Sequence, residues 1–139
     1  MTRDMKLEAS LLIMRLAIAA FMLVWAIDKV IAPEHARAVF SHFYFTGTST
    51  AVLESLGFAQ MAIIAAFAVG FARFWTYGTV LLMHAASTAS TYAQLLNPWG
   101  GDRPQLLFWA AVPVLAAMIV LFVLRDRDQL LSVDAALSD

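Results

Sequence analysis

The chain contains no cysteine, and that absence removes thiol–disulfide exchange, thiolate metal sites, iron–sulfur ligation and a cysteine nucleophile at once. Charge is scarce as well: only 14% of its 139 residues are Asp, Glu, Lys or Arg, and the net charge of −1 leaves no basic footprint for nucleic acid. Histidine occurs three times, and only His84 lies inside a long apolar stretch, so a bis-histidine haem site within one chain is excluded and haem is disfavoured as a cofactor. No internal repeat or low-complexity segment is present, and the connections are too short to hold a separate soluble catalytic domain.

What fills the chain is apolar. The hydrophobic fraction is 62% and the mean hydropathy +0.77, outside the range of a water-soluble domain. Four stretches, Ala9 to Ile31, Ala51 to Ala72, Phe74 to Leu96 and Pro104 to Leu124, each match the ~20 residues needed to span hydrocarbon. The expected fold class is therefore all-α, a single integral membrane domain over residues 1–139 built as an antiparallel up-down four-helix bundle. Arg3 and Lys6 precede an apolar run that continues to Trp25 and Ile27, longer than a signal-peptide core, so it reads as a retained first helix. Arg3, Lys6, Arg73, Arg125 and Arg127 against Lys29, Arg37 and Arg103 place both termini on the cytoplasmic side.

The connections differ in character. The first, from Ala32 to Thr50, mixes Pro33, His35, Arg37 and His42 with the aromatic run Phe43-Tyr44-Phe45 and suits a segment lying at the outer interface. The second is a tight turn from Gly70 to Phe74. The third, Asn97 to Pro104, is rich in turn residues. The tail from Arg125 to Asp139 reads as a short charged segment with a brief surface helix.

In such a chain the polar groups within the spans are informative, because an ionisable side chain in hydrocarbon costs ~2.5–3.5 kcal/mol. Arg15, Met22, Trp25 and Lys29 share one face of the first helix, with Arg15 and Lys29 roughly 21 Å apart at 1.5 Å per residue. Arg15 snorkels toward inner headgroups, bonds inward to neighbouring helices or faces a ligand. Glu54 falls at the depth of Lys29, so a Lys29–Glu54 ion pair is expected; the alternative is a carboxylate in the first helical turn, favoured by the helix dipole. On the third span Tyr77, His84, Ser87, Thr88 and Thr91 form a polar stripe, with small Ala85, Ala89 and Ala93 beside it, and should face the bundle interior. His84 can donate to a quinone carbonyl, relay a proton or simply bond between helices. The candidate ligand-binding set is thus Arg15, Trp25, Tyr77, His84 and Thr88, with Lys29 and Glu54 as a structural pair and no catalytic or metal-binding residue. The fourth span is nearly bare of polar groups, and Pro113 near its middle should bend it.

Leu12-Ile13-Met14-Arg15-Leu16, followed by Phe21, Trp25 and Asp28-Lys29-Val30, resembles the first-helix pattern of the DoxX-like family of small bacterial membrane proteins, and Gly70-Phe71-Ala72-Arg73 is similar to that family's turn between the second and third helices. Where relatives tend to carry Glu before glycine-rich positions, this chain has Gln60-Met61-Ala62-Ile63, so no acidic function carries over there. The resemblance implies a four-helix protein of the bacterial cytoplasmic membrane associated with quinone-linked or redox-stress assemblies. Three functions remain open: a noncatalytic accessory subunit of a respiratory or redox assembly, a quinone-interacting subunit fed with electrons by a partner, and a small-solute transporter or permeability factor. The expected partners are the lipid bilayer and another protein or a second copy.

Overall fold

The computed structural model describes residues 3–44 and 47–138. Phe45 and Thr46, at the end of the aromatic run, lie outside the described residues. The chain folds into helices α1 (Arg3–Ile31), α2 (Pro33–Phe43), α3 (Thr50–Ala68), α4 (Arg73–Ser90), α5 (Tyr92–Leu96), α6 (Ala111–Val123) and α7 (Val133–Ala136), with 3₁₀ helices at Leu106–Ala110 and Arg125–Arg127. Among the described residues there is no β-strand. Three helical stretches are long and apolar enough to cross a membrane: Asp4–Ile31, Thr50–Ala68 and Leu106–Val123.

The sequence accounts for most of the boundaries. Ala32 precedes a proline, which disfavours the α region for it, and its φ of −135° breaks the helix between α1 and α2. Pro33 then occupies the first position of α2, where no amide donor is needed. Ser49 caps α3, its hydroxyl accepting from the amide of Val52 at 3.4 Å. That start places Glu54 beyond the first turn of α3, which contains no acidic residue, so its alternative role as a first-turn carboxylate is not realised.

Two of the expected spans are drawn differently. The stretch from Phe74 to Leu96 is not one helix: α4 ends at Ser90, and α5 is a separate short helix. Hydroxyls crowd this junction and bond back to their own chain, Thr88 to the carbonyl of His84 at 2.8 Å, Ser90 to Ser87 at 2.6 Å and Thr91 to Thr88 at 2.8 Å. Such local bonds compete with the helical ladder. The last span, Leu106–Val123, is a continuous helical stretch with Pro113 near its middle, but its pitch changes just before the proline. The chain enters it as a 3₁₀ helix and becomes α6 at Ala111, so the proline falls in the first turn of α6.

The core is supplied by α1, α3, α4 and α6, with Ile18, Ala26, Ile64, Phe67, Val80 and Leu121 all buried. α1 packs on α3 and α6, and α4 packs on the same two. Contact between α1 and α3 is closest at Gly57: a Cβ there would stand 2.9 Å from the Ala26 carbonyl oxygen and 2.9 Å from Val30 Cγ2.

The tail carries the expected brief helix, α7, which has no buried residue, but the segment leading to it is not all on the surface. After Arg127 it folds back against the turn between α3 and α4, burying Asp128 completely and Ser132 almost so. The amides of Val133 and Asp134 donate to the carbonyls of Val69 and Gly70 at 2.9 and 3.1 Å. Asp134 in turn accepts from the amides of Ala72 and Arg73 at 2.7 and 2.8 Å, capping α4 from a distant part of the sequence. Gly70, at φ +66°, makes this possible: a side chain there would meet Ser132 Oγ at 2.7 Å. Asp134→Ala is expected to lower stability by about 1–2 kcal/mol, as loss of a helix cap does, in a denaturant titration of the detergent-solubilised protein.

Candidate functional site

Two polar regions occupy opposite ends of the α1 stripe. At the tail end, Arg15 is wholly buried and meets Asp128 Oδ2 through Nη1 at 2.9 Å. The Tyr77 hydroxyl donates to the same carboxylate oxygen at 2.8 Å and receives a bond from Arg15 Nη1 at 3.2 Å. Arg15 Nη2 donates to the carbonyls of Leu130 and Leu131 at 2.8 and 3.0 Å. Arg73 Nη1 reinforces the same segment through the carbonyls of Arg125 and Asp128 at 3.0 and 2.9 Å. Arg15 Nε and Asp128 Oδ1 have no protein partner. Of the roles expected of Arg15, the inward bond to a neighbouring helix is the one present, to Tyr77 of α4; the side chain is fully buried and does not line the cavity toward the α2 end. Its guanidinium fork is consumed by the tail, and a buried charge held in this way is a structural joint.

Toward the α2 end, the helices part around a cavity of about 290 Å³. α1 contributes Phe21, Trp25 and Lys29; α2 contributes Phe40 and Phe43; α4 contributes His84, Thr88 and Thr91. His84 donates from Nε2 to the carbonyl of Ala111 at 2.9 Å, which fixes the ring, and the edge of Phe21 packs on it with centroids 5.5 Å apart. With Nε2 so engaged, Nδ1 makes no hydrogen bond among the described residues. Gln60 reaches this space too, its amide finding only the Met83 sulfur at 3.7 Å.

The polar stripe of α4 is thus turned inward, with Tyr77, His84 and Thr88 buried, but it is shared between two places. Of the five candidate ligand residues, Trp25, His84 and Thr88 line the cavity, whereas Arg15 and Tyr77 belong to the ion-pair joint. The expected ion pair between Lys29 and Glu54 is not formed. Lys29 Nζ turns back along its own helix to the carbonyl of Trp25 at 2.9 Å, and no ion pair among the described residues includes either residue.

The residues that sequence reasoning missed are Asp128 and Asp134 in the tail and the aromatic face of α2. One signal was present for Asp128: an arginine inside a span needs a carboxylate at its own depth. Arg15 lies toward the N-terminal end of α1, the end to which the expected topology also brings the tail. Among the described residues no group of three or more metal-ligating side chains occurs. Comparison of the chain with family models, with curated proteins and with solved structures gives no match.

Proposed function

We propose that this chain is a multi-pass protein of the bacterial cytoplasmic membrane, DoxX-like in plan, whose four helices α1, α3, α4–α5 and α6 form an up-down bundle with both termini cytoplasmic. In this reading it is a noncatalytic subunit of a redox assembly that holds a lipid-soluble ligand, of which a quinone is the type, in its outer cavity. A partner supplies the electrons. The observation that carries the reading is the cavity itself: aromatic walls from α1 and α2, with His84, one ring nitrogen of which makes no hydrogen bond among the described residues, in the same lining. Ligand sites in helical bundles have this composition, mostly apolar with a few fixed polar groups.

The test is to extract the protein in native-membrane nanodiscs and measure the quinone that stays bound. Wild type is expected to retain it. His84→Ala should lose about 1 kcal/mol of binding, a several-fold drop in affinity, while remaining inserted and folded. Unchanged retention would make His84 a packing residue. Retention of a protein partner with no ligand in either form would favour a purely structural accessory subunit.

A further inference from the structure

The cavity wall holds a lysine that makes no ion pair within 4 Å among the described residues. Lys29 is 9% exposed and lines the cavity wall, and one of its three N–H donors goes to the Trp25 carbonyl. Of the nearby carboxylates, Asp28 reaches it only through space, its Oδ2 bound instead to His35 Nδ1 at 2.8 Å, and among the described residues Glu54 forms no ion pair. Nor does an aromatic face take the charge, since both cation–ring contacts among the described residues belong to Arg125. The contrast with Arg15 is direct. The other deeply buried cation has its carboxylate at 2.9 Å, as buried charges ordinarily do.

Around Lys29 the surroundings are those of an amphiphile's binding site. Trp25, Phe40 and Phe43 give apolar walls, and the weakly bonded amide of Gln60 offers a second donor. We infer that the cavity takes an amphipathic anion, with a carboxylate or phosphate oxygen on Lys29 Nζ and an apolar tail along the aromatic walls. The inference rests on the cavity reading proposed above and narrows it: the occupant's head is anionic, and a neutral quinone is the weaker guest. The shared chemistry fits either a free single-chain acid or the headgroup of an anionic phospholipid.

The experiment uses the full chain in phosphatidylcholine nanodiscs and measures binding of dodecanoate and of dodecanol by native mass spectrometry. Wild type is expected to prefer the acid by about tenfold. Lys29→Met should abolish that preference while still binding dodecanol, and Lys29→Arg should restore it. Replacing part of the phosphatidylcholine with phosphatidylglycerol separates the sources: displacement of dodecanoate points to a lipid headgroup, and no displacement to a free acid, both consistent with the anion site. Equal binding of acid and alcohol by wild type would overturn the inference without any variant, and so would a preference that survives in Lys29→Met. If a quinone still bound in either case, the cavity reading would stand alone. Failure of wild type to bind acid, alcohol and quinone alike would end both.

Discussion

Asp128→Ala is expected to cost about 3–5 kcal/mol of folding stability, the largest effect of any single substitution outside the core. The carboxylate it removes is the only anionic partner of Arg15, and both side chains are fully buried, so the variant strands a charge that has no route to water. It also strips the Tyr77 hydroxyl of its acceptor. Unfolding of the reconstituted protein should show the loss, and limited proteolysis should show the tail released, with cleavage beginning at Arg125 or Arg127. The double variant Arg15→Met with Asp128→Leu should recover most of the stability, because replacing both partners with apolar groups removes the desolvation penalty along with the attraction. A single variant as stable as wild type would mean that water or another group neutralises Arg15.

The second large effect is expected at Gly57. Gly57→Val would drive a branched side chain into the Ala26 carbonyl oxygen, which already lies 2.9 Å from the position of a single Cβ, and backbone cannot move aside as a flexible side chain can. Helices in a membrane gain their association from such close approach of small residues. A loss of about 2–3 kcal/mol, typical of overpacking, should follow, read as a lower melting temperature in detergent. Gly47 is the control: a Cβ there meets nothing within 4 Å, and Gly47→Ala should leave the melting temperature unchanged. Equal effects at the two positions would refute the close packing of α1 on α3.

How far the sequence could be read follows from the same residues. Long apolar runs announced α1, α3 and the last helical stretch, because length and hydropathy are local properties. The inward turn of Tyr77, His84 and Thr88 was legible from their helical spacing. Arg15 was legible as a residue in need of an explanation, but its explanation was not. Arg125-Asp126-Arg127-Asp128 alternates in charge, and nothing within that run distinguishes the one buried carboxylate from its exposed neighbours. Only the chain's return to the α3–α4 turn selects it. Lys29 and Glu54 failed as a pair for the converse reason. Depth and charge matched, but close packing of α3 on α1 brings the Lys29 Cβ within 3.1 Å of where a Gly57 Cβ would lie, and the ammonium bends back to its own helix.

The tail's return has a mechanical consequence for traffic. It ties the chain's last helical stretch to the turn between α3 and α4 and, through Arg15, to α1, so one end of the molecule is a sealed base. Among the described residues the opposite end has no such strap; the cavity wall there includes α2, whose Phe43 meets Phe108 of the 3₁₀ helix, rings 5.8 Å apart. The protein is built as a cup rather than a tube. On the reading proposed above, a guest would enter and leave over the same rim, and a solute crossing from one end to the other would have to prise apart the buried ion pair at the base.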